Sequence, residues 1–312
     1  MPAGPLYVAG HRGLVGSAIW REAERRGLDL VGRTRAELDL TVTPAVEAYV
    51  AKTQPSAIII AAAHVGGILA NATYPADFLA VNLQLQLNLL NASVEHKVPK
   101  VLLLGSSCIY PKFAAQPISE DSLLTGLLEP TNDAYAIAKI AGVLHVQAIR
   151  RQYGLPYISA MPTNLYGPGD NFDLERAHVM PAMLRKMHEA KVRGDPTVQM
   201  WGTGAPRREF LHVDDMAKAA LFLLEAYDEP GPINVGTGQD VSIRELAELV
   251  KDVVEYDGTL TWDTSKPDGT PRKLLDTGRI NALGWQPSTS LEDGVRSTYA
   301  WFLEHAGTDA RL

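Results

Sequence analysis

Tyr135 and Lys139 stand four residues apart in the run Asn-Asp-Ala-Tyr-Ala-Ile-Ala-Lys. On a helix, residues at i and i+4 share one face, so a phenol and an ammonium converge on one point. A neighbouring ammonium favours phenolate and lowers a tyrosine pKa toward working pH. Such a tyrosine passes a proton to or from a carbonyl or alcohol oxygen. Alone, the pair equally fits a half-buried Tyr beside a solvated Lys. Upstream, Leu103-Leu-Gly-Ser-Ser-Cys-Ile-Tyr-Pro ends an apolar run. Residues i and i+2 on a strand point the same way, which predicts Ser106 and Cys108 facing one cleft. A serine hydroxyl there holds a substrate oxygen, and a thiol exchanges a proton. The plainer readings are a strand-end cap for Ser106 and a small buried hydrophobe for Cys108.

These side chains need elements to hold them. Residues 6–9 read as a short strand, 17–26 as a helix and 28–31 as a second strand. Residues 46–52 read as a helix, and 57–63 as a near-continuous apolar run that suits a strand buried on both faces. A long helix over 75–96, a strand over 101–105, a helix over 134–153 and a strand over 157–161 continue the alternation. This order predicts an α/β fold, a doubly wound parallel sheet of Rossmann-like type. Beyond Pro162 the texture changes. Helices near 181–190, 213–227, 243–253 and 291–305 and strands near 198–201 and 233–235 suggest a smaller C-terminal α+β region for substrate. The expected division is 1–165 for the nucleotide and mainly 166–312 for substrate, with segments near 209–237 returning to the first half.

The loop Gly10-His11-Arg12-Gly13-Leu14-Val15-Gly16 follows the first strand and opens the first helix. Its spacing is G-x-x-G-x-x-G rather than the commoner G-x-G-x-x-G. Glycines let the backbone turn tightly and approach a pyrophosphate, and the helix N-terminus supplies amide donors. NAD binders carry an acidic residue at the end of the second strand. Here the stretch is Val31-Gly-Arg33-Thr-Arg35, with Arg12 nearby. Arginine forks suit a 2′-phosphate, so the expected cofactor is NADP(H).

The chain has 312 residues, 46% of them hydrophobic, enough for a sizeable core. With 29 Lys plus Arg against 36 Asp plus Glu, the net charge is -7. That balance argues against nucleic acid as a partner but leaves room for a local basic pocket. One cysteine precludes an internal disulfide and suits a reducing compartment, so the expected location is cytoplasmic. The N-terminus has no basic, apolar leader pattern, and no run approaches the roughly 20 apolar residues of a membrane span. No metal-ligand pattern is read.

The glycine loop, the strand-end serine, Tyr135-x-x-x-Lys139 and Pro162-Thr-Asn-Leu-Tyr-Gly together resemble the extended short-chain dehydrogenase/reductases that act on nucleotide sugars. The resemblance runs almost end to end. Its more specific parts are Gly105-Ser-Ser-Cys-Ile-Tyr-Pro-Lys, Glu129-Pro-Thr-Asn, Arg208-Glu-Phe-Leu-His-Val-Asp-Asp-Met and Ser265-Lys-Pro-Asp-Gly-Thr-Pro-Arg-Lys. They point to the branch that epimerises GDP-4-keto-6-deoxy-D-mannose at C3 and C5 and then reduces C4. The resemblance implies Cys108 and His178 as the acid–base pair at C3 and C5, both with ordinary pKa values within reach of neutrality. It implies Tyr135 as proton donor to O4, Ser106 as a hydrogen-bond partner of that oxygen, and Lys139 as the residue that tunes Tyr135 and holds the nicotinamide ribose. It places cofactor contacts at Gly10 to Gly16, at Arg35, Ala36, Glu37, Leu38, Asp39 and Leu40, at Leu104, Gly105, Ser106 and Ser107, at Pro162, Thr163, Asn164 and Leu165, and at Lys139 and His178. Substrate contacts carry over to Lys186, Trp201, Arg208 and Asp268. At Lys186 the family can show Arg, and an ammonium replaces a bidentate fork.

Two rivals share the fold: a nucleotide-sugar 4-epimerase with tightly held NAD, and a non-catalytic NADP-binding protein. The arginines after the second strand and Cys108 favour the reductase over the first. The presence of Tyr135, Lys139 and Ser106 together argues against the second. The helix over 75–96 carries apolar residues on more than one face, and the family commonly pairs such helices, so a homodimer is expected.

Overall fold

A computed structural model describes residues 4–306 other than 175 and 267. The chain opens with β1 (Leu6–Ala9), α1 (Leu14–Arg25), β2 (Leu30–Val31), α2 (Thr43–Thr53) and β3 (Ala57–Ile60). Next come α3 (Ile68–Thr73), α4 (Pro75–Glu95), β4 (Lys100–Leu104), α5 (Asp133–Tyr153) and β5 (Ile158–Pro162). Then follow β6 (Asn164–Tyr166), α6 (Val179–Arg193), β7 (Thr197–Trp201), β8 (Arg207–His212), α7 (Val213–Ala226) and β9 (Ile233–Val235). The last elements are β10 (Asp240–Ser242), α8 (Ile243–Val254), β11 (Thr259–Asp263), β12 (Arg272–Lys273), α9 (Gly278–Ala282) and α10 (Leu291–His305).

The main sheet runs β2-β1-β3-β4-β5-β9, parallel throughout. Its strands are apolar at successive positions because both faces are covered. Leu6, Val8, Ile59 and Leu102 pack under α1 and α7, while Tyr7, Ile58, Ile60, Val101 and Leu103 pack under α2, α4 and α5. The strand β9 comes from residues 233–235 and pairs with β5, so the later chain does return to the sheet. A second core gathers α6, α8, α10 and β7 around Phe172, Leu184, Met187, Leu246 and Phe302. Beside it, β8 pairs with β6, β10 and β12, and β7 pairs with β11.

Two expectations change. The run 57–63 is strand only to Ile60; Ala61 to Ala63 are apolar because they pass beside the glycine loop. The strand β8, Arg-Arg-Glu-Phe-Leu-His, carries too many charges to be read as strand, yet it sits at the centre of its small sheet. Its Glu209 is fully buried and accepts the Gly238 and Leu275 amides at 2.7 and 3.0 Å. Burial pushes that carboxyl up while those N–H groups pull it down. No helix among the described residues is long and apolar enough to cross a membrane.

Candidate active site

The main sheet and the charged small sheet meet at the carboxyl end of β4, where open α/β sheets bind ligands. Ser106 follows that strand and begins a single 3-10 turn over Ser107–Ile109. Its Oγ accepts the Cys108 amide at 3.2 Å. Ser106 and Cys108 are therefore brought together by a capped turn and not by strand alternation as predicted. The capping reading of Ser106 is what the structure shows.

Tyr135 and Lys139 lie in the first turns of α5, with the Lys139 Nζ 5.9 Å from the phenol ring centre. Lys139 is 2% exposed and donates to the Leu104 carbonyl at 2.9 Å. Burial pulls its ammonium down to about 8. The phenol of Tyr135 is not activated in the predicted direction. Burial and the neighbouring Cys108 push its pKa up, against a lesser opposing pull from a Ser106 hydrogen bond. Desolvation of the phenolate dominates, so the group rests protonated, as a donor must.

Cys108 is held down despite burial. Lys273 Nζ lies 3.6 Å from its Sγ, and hydrogen bonds from Ser106 and Asn132 add to the effect. Asn132 is the N-cap of α5, and its side-chain Oδ1 is buried without a partner among the described residues. His178 is the N-cap of α6, exposed, on a loop whose Arg176 and Ala177 carbonyls run against Gly67. Surrounding protein pulls its pKa down, so the ring rests neutral near pH 7. Both Cys108 and His178 thus depart downward from their ordinary values.

The glycine loop has the shape of an anion cradle. Gly10 has φ +86, and a side chain there would collide with Ala62. Gly16 packs so closely on the Gly10 carbonyl that no Cβ fits. No side chain caps α1, which leaves its first amides for a phosphate. Arg12, Arg33 and Arg35 are exposed around the end of β2. Of the adjoining segment, Arg35 and Ala36 are exposed, Glu37 accepts the Thr34 amide, and Asp39 accepts the Thr41 amide. Leu38 turns into the core, and Leu40 packs against it. On the opposite wall the Gly105 amide binds the Ala160 carbonyl at 2.8 Å, and Ser107 is buried. Pro162 ends β5, while Thr163 and Asn164 spend their side chains on the Glu209 carbonyl. Leu165 packs on the main core.

The substrate candidates form the outer rim. Trp201 is 62% exposed at the end of β7. Lys186 and Lys266 each place Nζ 5.6 Å from its ring centre. Arg208 on β8 is half-buried, and its charge faces Cys108, Glu129 and Asp268. Asp268 accepts the Thr203 amide and hydroxyl at 2.7 and 2.8 Å, which braces the rim loop. Lys266, Lys273 and Asn132 were not singled out from sequence, although each stands in a stretch noted for its specificity. Pro267 of that stretch lies outside the described residues.

A model of the NAD dependent epimerase/dehydratase family matches residues 6–236. The chain is 58% identical over 301 residues to GDP-L-fucose synthase 1 of Arabidopsis thaliana, covering 96% of this chain and 93% of that one. It is 53% identical to the GDP-L-fucose synthase of Escherichia coli (strain K12), covering 96% and 97%. Among solved structures it resembles a GDP-L-fucose synthetase from Naegleria fowleri bound to NADP. The TM-score is 0.90 at 27% identity, covering 99% of this chain and 96% of that one.

Proposed function

The chain belongs to the NAD dependent epimerase/dehydratase family, and from that premise we propose that it makes GDP-L-fucose from GDP-4-keto-6-deoxy-D-mannose. The reaction is epimerisation at C3 and C5 followed by NADPH-dependent reduction at C4. Its full-length relatives at 58% and 53% identity carry the name GDP-L-fucose synthase. The observation that supports this assignment within the chain is the meeting of two chemistries at one hydroxyl. Ser106 hydrogen-bonds toward both Tyr135, a protonated phenol, and Cys108, a thiol shifted toward thiolate.

The C4 ketone acidifies the protons on C3 and C5. The Cys108 thiolate takes one of these protons, forming an S–H bond, and the C–H electron pair moves into an enolate with its charge on O4. His178, neutral at rest, takes up a proton from solvent and returns it to carbon from the other side. NADPH supplies the hydride for C4. Tyr135 gives its proton to O4, and Ser106 hydrogen-bonds that oxygen. Lys139, its Nζ 5.9 Å from the phenol ring centre, would hold the ribose hydroxyls of the bound cofactor. The cradle at Gly10 to Gly16 and the free N-terminus of α1 fit a dinucleotide diphosphate, and Arg12, Arg33 and Arg35 fit a 2′-phosphate. The GDP diphosphate and base meet Arg208, Lys186 and Trp201, and Asp268 braces that rim.

Two further features belong to this reading. The enzyme works in the cytoplasm, where a reducing poise keeps the thiol of Cys108 free. It is a homodimer through the outer faces of α4 and α5. On α5, Ile137, Ala141, Leu144 and Ala148 recur at helical spacing on the outward side, with Ile137 45% and Leu144 40% exposed. Leu87 on α4 is 41% exposed. An outward apolar stripe on a long helix fits a second copy of the same stripe.

The deciding experiment supplies GDP-4-keto-6-deoxy-D-mannose and NADPH to the purified protein. The nicotinamide absorbance should fall and the product should be GDP-L-fucose by NMR. Consumption without inversion at C3 and C5 would reduce the assignment to a C4 reductase. No consumption would refute it.

A further inference from the structure

The stretch Arg272–Lys273 is a two-residue strand laid parallel to β8, with Arg272 opposite Arg207 and Lys273 opposite Arg208. Partners across a parallel ladder point to the same face, and successive residues point to opposite faces. The register therefore sorts four cations into two pairs. Arg207 and Arg272 turn one way, and both grip the Asp240 carboxylate, at 2.9 and 2.5 Å. Arg208 and Lys273 turn the other way, toward Cys108. Lys273 has no carboxylate partner within 4 Å among the described residues. Its near neighbour is the Cys108 Sγ at 3.6 Å.

The segment that carries Lys273 is fastened along both edges. On one side it pairs with β8. On the other, the Leu274 amide donates to the Gln116 Oε1 at 2.9 Å, and the Leu274 carbonyl accepts the Ile118 amide at 2.7 Å. The next amide, Leu275, donates to the buried Glu209. Just upstream, Thr270 hydrogen-bonds Glu129 at 3.2 Å, and Glu129 is paired with Lys112 at 2.9 Å. An unattached lysine side chain would sweep through solvent. This one starts from a backbone fixed on both sides and lines one crevice with Cys108, Lys112 and Glu129.

We propose that Lys273 is the positioning residue of the epimerase half, the fixed counter-ion that keeps Cys108 a thiolate ready to take a proton from the sugar. This rests on the assignment of Cys108 as the base. The cations facing the sulfur are Lys273 from β12 and Arg208 from β8, and the protonated phenol of Tyr135 from α5 with the neutral donors Ser106 and Asn132 completes the surround. Arg208 belongs to the substrate rim and faces Glu129 and Asp268 as well, so its charge is shared. Lys273 is the cation given over to the sulfur. When the thiolate takes a proton, its charge passes to the enolate oxygen and the S–H group is neutral. The ammonium keeps its own protons throughout.

Cys108 is the sole cysteine of the chain, so its ionisation can be read without ambiguity. The test measures the rate of iodoacetamide alkylation against pH in the intact protein, together with the ultraviolet absorbance of the thiolate. The wild-type midpoint should lie below the ordinary cysteine value. In Lys273→Met it should rise by about one unit or more, which is about a tenfold loss of thiolate near neutral pH. Lys273→Arg, which keeps the charge and does not release protons, should stay near wild type. If Lys273→Met does not fold, Lys273→Gln serves, judged by its melting transition. In parallel, solvent deuterium exchange at C3 and C5 of the GDP-keto-sugar should shift its pH profile upward with the thiol. An unchanged midpoint in Lys273→Met, or an Arg variant that behaves like Met, would overturn the proposal. Neither result would touch the assignment of the reaction, which fails only if the wild-type protein leaves the keto-sugar unchanged.

Discussion

The proposed reductive group, Tyr135 and Lys139, and the proposed epimerising group around Cys108 are built differently. Tyr135 and Lys139 lie on one long helix packed against the main sheet, and Lys139 is anchored to the end of β4. Their spacing and placement come from a single element. Cys108, Lys273 and His178 come from a one-turn helix, a two-residue strand and a helix cap that are far apart in the chain. The first group is held by burial, which costs it solvation. Cys108 and Lys273 are held by hydrogen bonds between short segments, with the Lys273 Nζ 3.6 Å from the sulfur. Tyr135 and Lys139 are positioned by a core, and Cys108 and Lys273 by a seam between two sheets.

If that division is real, the two halves should come apart under mutation. Tyr135→Phe should lower the rate of NADPH oxidation by about 10³-fold, within the range of general acid catalysis. It should leave deuterium exchange at C3 and C5 within a few-fold of wild type. Cys108→Ser should do the reverse, cutting exchange by about 10²-fold because a hydroxyl is far less ionised than this thiol. Equal loss of both activities in either variant would show one inseparable site.

A stability measurement probes the same contrast. Lys139 is charged in a buried place, and its pKa falls from 10.5 to about 8 on folding. The unfolded chain therefore binds more protons between those values, and stability rises with pH across that window. Below about pH 8 the penalty is present in full. At about 1.4 kcal/mol per unit, it is about 3 kcal/mol. Lys139→Met should therefore unfold at higher denaturant than wild type at pH 7 while losing activity, and its advantage should shrink toward pH 10.5. A less stable variant at pH 7 would mean that the bond to the Leu104 carbonyl outweighs desolvation. The smallest effect is expected at the outer stripe of α5. Leu144→Glu should shift light scattering from dimer to monomer with the reductive rate little changed, because Tyr135 and Lys139 face inward. An unchanged mass would remove this face as the interface.

Much of the main sheet is legible in the sequence. Runs such as Ala-Ile-Ile-Ile and Val-Leu-Leu-Leu announce strands covered on both faces, and the helix over 291–305 matches α10. The small sheets were hidden for an equally physical reason. The strand β8 opens with Arg-Arg-Glu, β12 is Arg-Lys, and neither has the apolar alternation that marks a strand. Their side chains are satisfied by Asp240, by backbone amides and by Cys108, all distant in sequence. Ser106 and Cys108 do lie together, but through a capped 3-10 turn and not through strand alternation.

The sequence by itself determined the sheet, the glycine cradle, the Tyr135/Lys139 face and, through family resemblance, the class of reaction. Those features depend on local spacing and on runs of apolar residues, which are properties of a chain segment. Only the tertiary structure decided which proton each group holds. Burial raised the Tyr135 pKa where the Tyr/Lys spacing predicted a lowering, and made Lys139 a costly ammonium. The register of a two-residue strand put Lys273 against Cys108. Ionisation depends on every charge and dipole within a few ångströms, and here those neighbours come from elements more than a hundred residues apart.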